Sequence, residues 1–313
     1  MKPLVSVIVP NYNHLKFLKQ RLESIFNQTY QNFEVILLDD CSSDKSVDFL
    51  KNYKSHPRVS HLVVNRKNSE SPFKQWQKGI SIAKGKFIWI AESDDYCELT
   101  FLEKTIEQLM SGARICYTQT MDVNEDGRLH LHRKEYTRNL VPNIWLNDFK
   151  IEGNKLIRDY LVIKNIIPNA SAVVFDKSLI TTNTFDRDLL SMRMCGDWLF
   201  WLKICKNTEI AFVHEPLNYF RGHENTSRFH RTNKEKQQRL LEEAEIRNYI
   251  YREWGLTLKK LENELYLNWF KLNKFKYILK SNFYRIRIKP THKIELLIYF
   301  LKYRLLKSYK AEI

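Results

Sequence analysis

Ten residues constrain this chain more than any other stretch. Lys86-Phe87-Ile88-Trp89-Ile90-Ala91-Glu92-Ser93-Asp94-Asp95 runs strongly apolar and then stops in three carboxylates within four positions. A short continuous apolar run of this kind reads as a strand buried on both faces, the kind found in mostly parallel sheets covered by helices. In open α/β sheets ligands bind beyond the carboxyl ends of the strands, so Asp94 and Asp95 fall where a ligand is expected. Adjacent carboxylates with nothing basic beside them repel each other, unless a hard divalent cation neutralises them and brings an anionic substrate with it. The competing reading is a plain turn into the next helix, with Thr100 and Glu103 forming a capping box.

The flanking sequence supports a parallel sheet. Leu4–Val9 is a β-branched strand pattern that ends at Pro10-Asn11-Tyr12-Asn13. Leu15, Leu18, Leu22, Ile25 and Phe26 then share one helical face. Phe33–Leu38 reads as a second strand ending in Asp39-Asp40, and Ser43 or Asp44 can cap a helix reaching Tyr53. Val59–Val64 is a third strand, and Pro72 suits the first turn of a helix that stops near Lys84-Gly85. Strands alternating with helices of this length make βαβ units. Beyond the acidic turn, a helix over 100–110 and strands over 114–119 and 170–175 continue the pattern. Residues 120–165 carry no clear period.

An acidic residue ending the second strand would suit a dinucleotide ribose, but the first loop argues against that ligand. Pro10-Asn11-Tyr12-Asn13 has no glycine, so it cannot bring backbone against a pyrophosphate as GxGxxG does, and no GxxxxGK[ST] occurs. Phosphates would have to be held by the acidic turn instead.

Two later stretches carry chemistry. In Cys195-Gly196-Asp197-Trp198-Leu199-Phe200-Trp201 an aspartate opens an apolar helix, so Asp197 reads either as the helix N-cap or as a general base lifted by its aromatic neighbours. In Tyr219-Phe220-Arg221-Gly222-His223 the histidine, taken by itself, reads as a solvated loop residue. His130 and His132 lie two apart in a polar stretch with no acidic or cysteine partner nearby, which favours an exposed strand over metal ligands.

Four segments, taken together, resemble the family-2 glycosyltransferases. They are Val5–Asn13, Leu38-Asp39-Asp40-Cys41-Ser42-Ser43-Asp44, Lys78-Gly79-Ile80 with Ala83-Lys84-Gly85-Lys86, and Glu92-Ser93-Asp94-Asp95, in the family's order and spacing. The resemblance implies a GT-A nucleotide-diphospho-sugar transferase fold, α/β with a mostly parallel central sheet flanked by helices. It also implies a divalent metal, Mn²⁺ or Mg²⁺, and transfer with inversion at the anomeric carbon. By this resemblance Pro10 and Tyr12 line the nucleotide pocket, Asp40 accepts a hydrogen bond from the base, Asp94 reaches the ribose, and Asp95 binds the metal. His223 matches the metal-reaching histidine of a Tyr-Arg-x-His element whose arginine region faces the diphosphate, and Asp197 matches the base ahead of an aromatic-rich helix. The chain departs from the family at Gln75-Trp76-Gln77, where many members carry Ala-Arg-Asn, and at Glu92, where aspartate is commoner. Lys74 is the candidate to replace the arginine's donor contact.

Composition sets the remaining expectations. The chain has 313 residues, 43% of them hydrophobic, enough for a large core. It shows no 18-residue apolar stretch and no leader pattern, and its five cysteines have no CxxC spacing, so a reducing, cytoplasmic setting is expected. Of the net charge of +15, +10 falls in residues 271–313, which hold 12 Lys and Arg against 2 acids. Charge concentrated in one tail argues against a nucleic-acid partner and for a peripheral site at the inner face of the cell membrane. The expected division is a catalytic domain over 1–228 and a basic helical region over 229–313. In the latter, Ile294, Leu297, Ile298, Leu301 and Leu305 form one side of a helix over 293–309 that either meets an anionic membrane or packs on the domain. The expected partners are a nucleotide-diphospho-sugar donor, a saccharide or lipid-linked acceptor and the anionic membrane surface. Rival readings are a nucleotidyltransferase, which would need a basic glycine-rich first loop, and a nucleic-acid-binding protein, which would bind with steep salt dependence.

Overall fold

A computed structural model of the chain describes residues 2–132, 134–167, 169–223, 231–289 and 291–311, with the side chains of 130–132, 134 and 306–311 left out. Its backbone divides into two compact units, one of residues 1–161 and 165–226 and the other of 162–164 and 227–313.

The first unit is a mixed sheet with helices against it. In chain order its elements begin β1 (Val5–Asn11), α1 (Leu15–Phe26), β2 (Phe33–Asp39), α2 (Ser46–Lys51), β3 (Val59–Val64), α3 (Pro72–Ile82) and β4 (Phe87–Ile90). They continue β5 (Tyr96–Cys97), α4 (Phe101–Met110), β6 (Ile115–Val123), β7 (Leu129–His132), α5 (Lys134–Thr137), β8 (Phe149–Glu152) and α6 (Gly153–Leu156). The last are β9 (Val173–Asp176), α7 (Arg187–Ser191), α8 (Gly196–Cys205) and β10 (Glu209–Arg221). The strands run β3-β2-β1-β4-β9-β6-β10-β5, with β7 on β6 and β8 on β10. β3, β2, β1 and β4 are mutually parallel, and β9 is antiparallel to both β4 and β6. This is the α/β sheet the alternation predicts, and it places the ends of β1, β2 and β4 side by side.

Every residue of β1, β2 and β4 is buried, as the unbroken apolar runs require. Pro72 occupies the first turn of α3 as expected. Farther along that helix Gly79 is obligatory, because a Cβ there would lie 2.4 Å from Ile8 Cγ2; its absence lets α3 lie directly on β1.

Two local expectations change, at Thr100 and at the start of β9. Thr100 precedes α4, but its side chain makes no capping bond, and Glu103 instead accepts from Thr29 Oγ1 at 2.8 Å. The expected capping box is therefore absent there. A complete one does start α9 (Asn233–Trp254), between Thr232 and Glu235. Strand β9 begins three residues later than expected because Asn169 caps a single 3₁₀ turn, Ala170–Ala172. His130 and His132 lie in a strand, β7, but their side chains fall outside the described residues.

The second unit is helical: α9, α10 (Lys259–Leu272) and α11 (Lys293–Ala311), with 3₁₀ turns at Phe275–Leu279 and Ser281–Ile286. Gly255 ends α9 in the left-handed conformation at φ 65°, where a side chain would be strained. The core of this unit gathers Leu265, Trp269, Phe270, Phe283, Ile286, Leu296 and Phe300. α11 therefore packs through Leu296 and Phe300. Ile294, Ile298, Leu301 and Leu305 are exposed, at 73%, 44%, 36% and 71%. No described helix is long and apolar enough to cross a membrane.

Candidate active site

The site is built where β1, β2 and β4 end. After β4 the chain turns through Glu92-Ser93-Asp94-Asp95, and both ends of that turn are pinned. At the first end, Glu92 N–H donates to Ser171 Oγ at 3.1 Å and its Oε1 accepts from Trp76 Nε1 at 2.8 Å. At the far end, Asp95 Oδ2 accepts from Asn169 Nδ2 at 2.6 Å and Oδ1 from the Arg221 amide at 3.0 Å. Between the pins, Ser93 Oγ meets His14 Nδ1 at 2.8 Å and Asp94 Oδ2 meets His223 Nε2 at 3.0 Å.

Two adjacent aspartates thus have opposite surroundings. Asp95 is 1% exposed, and burial first, then the charge of Asp94, pushes its carboxyl well above the usual range; Arg21, Ser171 and the Arg221 amide act against this. Burial also works against ionisation of Asp94, but the imidazoles of His14 and His223 outweigh it and hold the carboxyl well below the usual range. Glu92 is pushed up to about 8 by burial and by Asp94. Burial lowers the pKa of His14, and the nearby Asp94 carboxylate works against that shift.

His14, Asp94 and His223 each offer a ligand atom within 4.8 Å of the others. Two imidazoles and an ionised carboxylate suit a divalent cation, and imidazole ligation favours Mn²⁺ over Mg²⁺. The sequence expectation joined His223 with Asp95. The structure brings His223 to Asp94 instead, because the oxygens of Asp95 are turned inward onto Asn169 and Arg221. His14 was not anticipated. The available signal was its place directly after the Pro10–Asn13 loop, at the end of a strand adjacent to β4.

The side chain expected to face a diphosphate, Arg221, is also turned inward. It is 2% exposed; its Nε donates to Asp94 O at 2.8 Å and its Nη1 to Glu125 O at 2.7 Å, and it stacks on Phe17 and Tyr96. Arg21, fully buried against the ring of Trp89, is a second arginine that the sequence alone did not single out.

The expected donor residues lie on β1, on the loops after β1 and β2, and on α3. Pro10 is buried in β1 and Tyr12, just beyond that strand, is 47% exposed. Asp40 follows β2, but its carboxylate is already engaged by Asn65 Nδ2, by Ser69 N and Oγ, and by Gln75 Nε2, at 2.6 to 3.1 Å. It therefore organises the 65–75 segment, and its two oxygens are crowded with donors before any base arrives. The Lys74 ammonium donates to Ser69 O at 2.9 Å, within the same segment.

Asp197 sits in the first turn of α8 but is not its N-cap; that position is Cys195, which makes no side-chain cap. The Asp197 carboxylate accepts from its neighbour Trp198 N at 2.8 Å and from Asn165 Nδ2 at 2.9 Å. The flanking Trp198 and Phe200 are buried as expected. α8 starts tightly against α3, since a Cβ on Gly196 would meet Phe73 Cε2 at 2.3 Å.

The mixed sheet, with its acidic turn beyond the parallel strand β4, is the arrangement that the resemblance to GT-A transferases implies. The sequence profile of "Glycosyl transferase family 2" matches residues 6–170, more than half of the chain, and the chain belongs to that family. A Bacillus subtilis glycosyltransferase named for teichuronic acid biosynthesis, TuaG, is 34% identical over 109 residues, which are 35% of this chain and 43% of TuaG. This chain thus spans less than half of that relative. A glycosyltransferase of Haemophilus influenzae aligns over 97% of this chain and 92% of its own length at 23% identity. Among solved structures, Staphylococcus aureus TarS residues 1–349 in complex with UDP-GlcNAc superposes with a TM-score of 0.61 and 19% identity, covering 88% of this chain and 76% of that one. That likeness supports the fold.

Proposed function

We propose that the chain is an inverting glycosyltransferase that moves a sugar from a nucleotide-diphosphate donor to a saccharide or lipid-linked saccharide acceptor in cell-surface polysaccharide synthesis. The observation that carries this reading is the His14, Asp94 and His223 group at the end of β4, in a chain of this family. TuaG is named for teichuronic acid biosynthesis, and TarS was solved with UDP-GlcNAc; the first supports a polysaccharide acceptor and the second a nucleotide-sugar donor as the chemistry to test first.

In this reading His14, Asp94 and His223 hold a divalent cation, Mn²⁺ rather than Mg²⁺. The cation's contribution would be to neutralise the diphosphate as it departs. Pro10 and Tyr12 line the nucleotide side, with Lys74 at its edge. Asp40 acts there through the 65–75 segment that it organises, and Asp95 anchors the turn. Asp197 accepts the proton of the acceptor hydroxyl, while the bonds from Asn165 and the Trp198 amide fix its carboxylate. Attack from the face opposite the diphosphate inverts the anomeric centre. The catalytic part comprises residues 1–228, and the helical part, 229–313, is proposed to rest on the anionic inner face of the cell membrane. Two observations support the membrane contact: the exposed stripe of α11, and the +10 charge of residues 271–313.

Thermal-shift screening of nucleoside diphosphates and their sugars with and without Mn²⁺ tests the donor reading. A ligand present at 100 times its Kd should stabilise the protein by about 2.7 kcal/mol. No shift with any member of the panel would reject it. Proton NMR of the product anomer tests inversion. Co-sedimentation with vesicles tests the membrane contact, which fails if neutral and anionic vesicles bind equally.

A further inference from the structure

Two departures from the family pattern, Trp76 and Glu92, prove to be one contact. The indole N–H of Trp76 donates to Glu92 Oε1 at 2.8 Å, and Ser171 Oγ holds the Glu92 amide. Trp76 is itself locked: it is 3% exposed, with Phe73 at 4.9 Å and Phe200 at 5.3 Å between ring centroids, both edge-on. Phe73 closes against Gly196 at the start of α8, and Gln75, the preceding residue of α3, donates to Asp40. Consecutive residues of a single helix therefore reach the loop after β2 and the turn after β4, while the same helix abuts the one that bears Asp197.

Glu92 is not among the three residues that offer atoms to a cation; its oxygen faces the indole. It stands two residues before Asp94 in a turn whose other end is held by Asn169 and Arg221. A turn pinned at both ends presents its middle residue at a fixed place, and a ligand placed before the cation arrives costs no ordering on binding. We propose that Trp76 is a positioning residue for the cation site: by holding Glu92 it fixes the turn that presents Asp94 to His14 and His223. Nearby side chains supply the ligands, and Trp76 supplies their geometry.

This inference rests on the cation reading above, and its test separates the two. Mn²⁺ affinity, with and without UDP, is measured by electron paramagnetic resonance and calorimetry on the full chain. Trp76→Phe keeps a ring between Phe73 and Phe200 and removes only the indole N–H. It should weaken Mn²⁺ binding about tenfold and leave metal-free UDP affinity within twofold, with the melting temperature little changed. A merely structural role would lower both affinities together. In a Glu92→Leu background, where no acceptor remains, Trp76→Phe should cost less than twofold more. Glu92→Ala serves the same purpose if the leucine variant does not fold. Unchanged Mn²⁺ affinity in Trp76→Phe overturns the proposal, as does an equal loss in both backgrounds, which would assign the effect to packing. If the wild-type protein binds no Mn²⁺, the cation reading falls, and this inference with it.

Discussion

The two units of this protein break opposite rules of burial. In the sheet unit, the turn after β4 buries Asp95 and half-buries Glu92 and Asp94, and each finds specific partners: Trp76 for Glu92, His223 for Asp94, Asn169 and Arg221 for Asp95. In the helical unit, α11 buries Leu296 and Phe300 but leaves Ile294, Ile298, Leu301 and Leu305 in water. Buried charge is costly unless it is paired, and an exposed apolar stripe gains nothing until it is covered. Each exception marks a place where the chain is prepared for something it does not itself contain. Under the proposed function the turn would meet a cation and its anionic ligand, and α11 an apolar, negatively charged surface.

The largest effect that could break this contrast lies at the turn. Asp94→Ala, or chelation with EDTA, should reduce turnover to background while the melting temperature holds, because Asp94 faces the imidazoles and the core needs little from it. Activity that persists in chelator would leave the buried charges without a functional explanation.

Next comes Asp197→Asn, which retains an oxygen for the Trp198 amide but cannot take a proton at neutral pH. Turnover should fall roughly 10²–10⁴-fold with stability intact. A variant that keeps the wild-type rate would place the base elsewhere.

In the helical unit the contrast is between the two faces of α11. Phe300→Ala, on the buried face, should destabilise that unit by about 3–5 kcal/mol in denaturant unfolding. Ile298→Ser, on the exposed face, should move stability by no more than about 0.5 kcal/mol and yet reduce retention on anionic vesicles. If the two substitutions destabilised equally, the outer stripe would be a packing surface after all.

Much of this was legible before any coordinates. Apart from the two-residue β5, which is set by its pairing with β10, the strands and helices through Met110 follow from apolar period and Gly or Pro punctuation, because each is decided by residues close in sequence. Residues 120–165 were not legible. β7 and β8 are four-residue strands whose place is decided by their partners β6 and β10 rather than by any period of their own. Thr100 and Glu103 had the spacing of a capping box, but Thr29, 74 positions from Glu103 in the chain, claimed the carboxylate.

The sequence by itself determined that a buried strand ends in carboxylates, and that the last 43 residues carry +10 of the net charge of +15. Only the tertiary structure decided which partners each carboxylate meets. Asp94 and Asp95 are chemically identical neighbours, separated in role because Asn169 and Arg221, brought in by β9 and β10, draw Asp95 inward. His14 and His223 lie 209 positions apart and meet at Asp94 because the sheet gathers the loops of β1, β4 and β10. Local pattern encodes elements; the roles of these charged groups come from partners distant in the chain, whose distances and burial exist only once the sheet has closed.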